Sequence, residues 1–95
     1  MLRTPLCHQL GIAYPILSVG MGPVAGPELA AAASNTSGCG VLGGVFMPAP
    51  DLRQEIHRLR TLTGQPFGVN LILPLLQDGQ IDVCLAAKVP LLVLF

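Results

Sequence analysis

Two short stretches hold the residues whose types and spacing could do chemistry. The first is Gly20-Met21-Gly22, which closes an apolar run from Ile16 to Val19. Glycines at the carboxyl end of a strand let a flat or anionic ligand approach the backbone, because no Cβ stands in the way. The second is Asn70, a lone amide in the otherwise apolar segment Phe67 to Leu73. Burying an amide without partners costs about 1–3 kcal/mol. Asn70 is therefore either satisfied inside the core or turned toward a polar ligand at the strand's end. Gly43 and Gly44 stand late in a third apolar run, Gly40 to Val45. This chemistry is that of holding a ligand, since none of these residues titrates near neutral pH.

The elements that must position these residues alternate. Thr4-Pro5 reads as N-cap and first helical position of a short turn, Leu6 to Leu10, stopped by Gly11. Strand one is Ile16 to Val19. Helix one runs from Pro27 to about Ser34, with Pro at its first position, Glu28 where the helix dipole favours an anion, and a small alanine face suited to close approach. Strand two is Gly40 to Val45. Helix two runs from about Pro50 to Leu62, with Leu52, Ile56 and Leu59 at i, i+4 and i+7. Gly64 is expected to stop it, with Pro66 just after. Strand three is Phe67 to Leu73, helix three roughly Ile81 to Lys88, and strand four Val89 to Phe95. Continuous apolar strands with a helix between neighbours imply a parallel sheet built by crossovers. Half of a (β/α)8 barrel and the first half of a doubly wound sheet both satisfy this order. In a parallel barrel the carboxyl ends of the strands share one rim, where active sites lie. Gly20 to Gly22, Gly43, Gly44 and Asn70 all fall there.

The composition narrows the function classes. The chain has 95 residues, 52% of them hydrophobic, with five basic and five acidic residues. A balanced charge argues against a nucleic-acid or anionic-membrane surface. Only 11% of the residues are charged, against about 25% in a typical domain. Such a shortage of surface, together with a last strand that nothing covers, leads to the expectation of a truncated piece of a larger α/β protein. Cys7, Cys39 and Cys84 are odd in number and widely spaced, and neither His8 nor His57 stands at a zinc-like distance from them. They read as reduced packing residues. The amino terminus lacks the apolar stretch of a secretory signal. The uncharged segment 29–50 is interrupted by polar residues and glycines, short of the roughly 18 apolar residues that a membrane span requires.

Two glycine patterns invite comparison with the dinucleotide fingerprint. Gly20 to Gly26 has its third glycine one residue late, with Pro23 intruding. Gly38-Cys-Gly-Val-Leu-Gly43 matches in letters, but it follows a helix and enters a strand, the reverse of the order that brings pyrophosphate to a helix amino terminus. Gly38 and Gly40 read instead as a helix stop and a turn.

Taken together, Thr4-Pro-Leu-Cys-x-x-Leu-Gly-Ile12, Tyr14-Pro-Ile16, Gly20-Met-Gly22, Val24-Ala-Gly-Pro-Glu-Leu-Ala30, Ser37-Gly-x-Gly-Val-Leu-Gly43 and Pro66-Phe-Gly-Val-Asn-Leu71 resemble the nitronate monooxygenase family, formerly called 2-nitropropane dioxygenase. FMN-dependent enoyl-ACP reductases are its neighbours. The resemblance covers essentially the whole chain. It implies that residues 1–95 are the first half, about four βα strands, of a truncated TIM (β/α)8 barrel, a single FMN-binding domain roughly three times this length. It further implies FMN as cofactor, held in part by Gly20, Met21, Gly22 and Asn70, and the oxidation of alkyl nitronates with O2 to a carbonyl compound and nitrite. The expected setting is cytoplasmic, without nucleic-acid or membrane partners. An enoyl-ACP reductase-like barrel and a non-enzymatic gene fragment are the alternatives. Helix two departs from the family in opening with Met47-Pro-Ala-Pro50, which lacks a hydroxyl cap. In the family the catalytic histidine and the phosphate-binding region belong to the barrel's second half, so no catalytic residue is assigned, His8 and His57 included. The isolated chain is expected to be inactive.

Overall fold

The computed structural model describes residues 4–18 and 26–94. Helix α1 (Pro5–Leu10) starts at Thr4, whose side chain accepts from the Cys7 amide, and closes at Gly11 in the left-handed region, φ 72°. Helix α2 (Pro27–Asn35) has Gly26 as N-cap and Glu28 in its first turn. Strand β1 (Gly40–Gly43), helix α3 (Ala49–Leu62), strand β2 (Phe67–Leu71), helix α4 (Gln80–Ala86) and strand β3 (Leu91–Leu94) follow, with a short 3-10 turn at Leu73–Leu75. The three strands form a parallel sheet in the order β1-β2-β3. A parallel bridge between Leu17 and Cys39 brings the end of the first described segment beside β1, in line with the expected strand one.

The amphipathic reading of α3 accounts for the main core. Leu52, Ile56 and Leu59 are buried and pack with Leu42, Val69, Leu71, Ala30 and Val83. Asp51, Arg53, His57, Arg58 and Arg60 lie on the exposed side. A second cluster joins Cys7, Leu10 and Ile12 to Cys39. It sits under the amino ends of the strands, with Leu17 and Leu91 against it. Glu28 and Arg58 form an exposed ion pair between α2 and α3, a contact of small worth to stability.

The strands are shorter than the apolar runs, for local reasons. After Gly43 the carbonyls of Gly44 and Val45 are taken by the Gln80 side chain, so the segment turns out of the sheet. β2 ends at Leu71 because Pro74 falls in the following 3-10 turn and offers no N–H to a ladder. β3 begins after Pro90 for the same reason. The end of α3 is closed by Thr63 in extended conformation, its N–H bonding to Leu59, and not by Gly64. Lys88 lies past the end of α4 with φ 54°, so it caps no helix from within.

Gly38 and Gly40 also differ from expectation. The left-handed residue after α2 is Ser37, φ 75°, so Gly38 is not the stop. A Cβ on Gly38 would lie 2.8 Å from the Ile16 carbonyl oxygen, and one on Gly40 only 1.8 Å from that of Ala30. Both glycines exist for close backbone approach. At Gly40 the approach is of α2 to the sheet, made by the small face of the helix.

Candidate functional site: the carboxyl rim of the sheet

The strand register sets Gly43, Asn70 and Val93 side by side across the sheet. Val69 and Leu71 pack with the helices. Strand alternation therefore turns Gly68 and Asn70 to the opposite face. Asn70 is 2% exposed. Its Nδ2 donates to the Val93 carbonyl at 3.4 Å, at the long end of such bonds. Its backbone carbonyl accepts from the Gly44 amide at 3.0 Å. The lone amide of β2 thus stands at the carboxyl end of the sheet, on the face away from the helices, beside a residue without a side chain.

Gly20, Met21 and Gly22 lie outside the described residues. The chain leading toward them runs parallel to β1 as far as Ser18, whose N–H donates to Cys39 at 2.9 Å and whose Oγ accepts from Val41 at 3.0 Å. Gly44 does not face the side of the sheet that Asn70 faces. A Cβ there would meet Leu52, Leu71 and Val69 at 3.1–3.3 Å, so its role is to let the turn after β1 pack on the helix-side core.

Sequence reasoning passed over two buried side chains that shape this end and its opposite. Gln80 is 1% exposed. Its Nε2 donates to the carbonyls of Met47 at 2.8 Å, Gly44 at 3.0 Å and Val45 at 3.3 Å, and its Oε1 accepts from the Gln77 amide at 2.9 Å. Ser34 is fully buried; its Oγ accepts from Gly40 at 2.9 Å and donates to Pro66 at 2.8 Å. That bond pair ties α2 to the amino ends of β1 and β2. The only signal in the sequence is a polar residue at an inward helical position, and the carbonyls it donates to lie more than 30 residues away along the chain.

A groove of about 340 Å³ lies at the other end of the sheet, lined by Arg60, Gln65, Phe67 and Pro90 among others. The Arg60 guanidinium covers the Phe67 ring at 5.4 Å and donates to the Lys88 carbonyl. It belongs to the amino ends of β2 and β3, away from the rim.

All three cysteines are buried and unbridged, as packing residues should be. Burial raises the Cys39 thiol above its ordinary value, and pushes Cys84 up to about 11 from 9.0. Neither is a thiolate nucleophile near neutral pH. A thiol whose folded value exceeds its unfolded one contributes stability that is fully present below about pH 9 and is lost as pH rises toward about 11. The melting temperature should therefore fall between pH 9 and 11. Cys84→Ala, though less stable at neutral pH, should show a shallower alkaline decline. An equal decline in both proteins would remove Cys84 as its cause.

The parallel sheet, its helix-covered face and a carboxyl rim bearing a lone amide define an α/β protein of the strand–helix repeat class. Within that class the chain belongs to the nitronate monooxygenase family, whose model matches residues 3–89. It is 44% identical over 69 residues to a probable nitronate monooxygenase of Staphylococcus haemolyticus, an alignment that takes in 73% of this chain and 19% of that protein. It is 43% identical over 70 residues to (3aS,4S,5R,7aS)-5-hydroxy-7a-methyl-1-oxo-octahydro-1H-indene-4-carboxyl-CoA dehydrogenase of Rhodococcus jostii, covering 74% of this chain and 20% of the relative. Among solved structures it superposes on FabK from Thermotoga maritima with a TM-score of 0.92 and 39% identity, over 99% of this chain and 30% of FabK. The chain thus spans about a fifth of the length of these curated relatives and less than a third of FabK. No described helix is long and apolar enough to cross a membrane.

Proposed function

We propose that residues 1–95 form the amino-terminal part, about four βα units, of a single (β/α)8-barrel domain that binds FMN and oxidises alkyl nitronates with O2 to a carbonyl compound and nitrite. The observation that carries this reading is Asn70. It is a buried, uncharged amide in an apolar strand, on the face away from the helices, level with Gly43. An amide offers one acceptor and two donors, which suits the alternating polar edge of a flavin ring. Gly43, paired with Asn70, brings no side chain of its own to that position. The residues present therefore fit the cofactor. Asn70 would hold the ring edge, and Gly20, Met21 and Gly22 would approach the ring from the neighbouring strand. Bound FMN would supply the electron transfer, the protein its placement. β3 is half-exposed where β1 and β2 are buried throughout, in keeping with a sheet that continues. The cytoplasm is the expected setting for such an enzyme.

The isolated chain should not retain FMN through gel filtration, because the phosphate contacts belong to the other half of such a barrel. A yellow, monomeric 95-residue protein would contradict this. A chimera tests the function. This chain replaces the matching segment of the Staphylococcus haemolyticus relative, and nitrite release from propane-2-nitronate is compared with the parent. A chimera that holds flavin and releases nitrite is expected, and one that folds but stays colourless refutes the reading. The Rhodococcus relative favours a second reading, a dehydrogenase acting on a CoA thioester. A flavin-loaded chimera that releases no nitrite where its parent does would support that one.

A further inference from the structure

We propose that Gln80 is a positioning residue for the rim: its single amide locks the loop after β1 and the loop after β2 into one unit. The proposal rests on the flavin reading above, and it adds a residue that touches no ligand.

The geometry is that of a two-sided clamp. On one side Nε2 faces the carbonyls of Gly44, Val45 and Met47, three acceptors of the turn that follows Gly43. On the other, Oε1 receives the N–H of Gln77, in the loop that follows β2. Donors and acceptors fix which way round the amide sits, since only nitrogen can face three carbonyls. Two N–H groups serve three oxygens, so the longest contact, to Val45 at 3.3 Å, is shared. The backbone closes the same joint from a second direction. Gly79 has φ +83°, and a Cβ there would lie 3.1 Å from the Ala49 Cβ, so the starts of α3 and α4 are pressed together. Gly44 in turn donates to the Asn70 carbonyl. The chain of contacts therefore runs from Gln80 through the Gly44 turn to the strand that carries the ligand-facing amide. Loosening Gln80 releases both loops and shifts Gly43 and Asn70 against each other.

Hydrogen exchange on the full 95-residue chain tests the clamp. Gln80→Met keeps the length of the side chain and removes its donors and acceptor. Amides of Gly44 to Met47 and of Gln77 to Gln80 should both exchange about tenfold faster or more, while those of Val41, Leu42 and Val69 change much less. Should Gln80→Met fail to fold, Gln80→Asn, an amide too short to span both loops, should give the same paired pattern at smaller size. Ser34→Ala, at the opposite end of the sheet, is the control for plain destabilisation. Acceleration in one loop alone, or a pattern equal to that of Ser34→Ala, overturns the proposal, as does a wild-type chain without protection in either loop. In the chimera, Gln80→Met should weaken FMN binding about tenfold and Ser34→Ala should not. If Asn70→Ala weakens FMN and Gln80→Met does not, the positioning role falls while the flavin reading stands. If neither has an effect, both fall.

Discussion

Gly40→Ala should leave the chain without its native sheet. The added methyl carbon would stand 1.8 Å from the Ala30 carbonyl oxygen and 2.5 Å from its carbon. Both are backbone atoms of α2, so no rotamer change relieves the overlap. Either α2 moves away from β1, breaking the Ser34 bonds to Gly40 and Pro66, or β1 leaves its place beside β2. Overpacking that side chains can absorb costs about 1–3 kcal/mol. Here it cannot be absorbed, so a loss of more than about 3 kcal/mol is expected, out of a total of about 5–15 for a whole domain. Circular dichroism and urea titration would read it as a collapsed midpoint or no cooperative transition. Gly64→Ala is the matched control, because nothing lies within 4 Å of a Cβ there, and its midpoint should hardly move. A Gly40→Ala protein as stable as the wild type would mean that α2 does not sit on β1 as described.

Asn70→Ala should separate ligand binding from folding. Within the protein the Asn70 amide makes one long bond to Val93, so truncation should lower stability by only about 1 kcal/mol. Toward a flavin edge the same amide would supply oriented, water-shielded hydrogen bonds, worth about 1–3 kcal/mol. In the flavin-loaded chimera FMN affinity should fall about tenfold to a hundredfold, read from the quenching of flavin fluorescence, while the melting temperature stays within a few degrees. Unchanged affinity with lowered stability would return Asn70 to the role of a satisfied core residue.

The regular features of this fold were legible because they repeat at short range. Leu52, Ile56 and Leu59 reveal α3 by spacing, and the apolar runs at Gly40 and Phe67 reveal strands covered on both sides. The parallel order followed from the alternation of the two element types. Asn70 stood out because an amide is costly in such a run. The misreadings came where tertiary partners decide. Gly38 and Gly40 look like turn residues locally, yet their need for glycine is set by the carbonyls of Ile16 and Ala30 across the fold. Gly44 looked like a rim glycine until Leu52 and Leu71 were seen to occupy the space above it. Gln80 and Ser34 carry only the weak signature of a polar residue at an inward helical position, since the carbonyls they donate to lie far away along the chain. Thr63 closes α3 in place of Gly64 because its hydroxyl also accepts from Gln65 and donates to Asn35, joining α3 to α2.

The most direct test of the flavin reading is where the ring sits. A crystal structure of the FMN-loaded chimera should place the isoalloxazine edge within hydrogen-bond distance of the Asn70 amide, beside Gly43 and on the sheet face turned from α3. A ring found instead at the amino ends of the strands, in the groove of Arg60, Phe67 and Pro90, would contradict it.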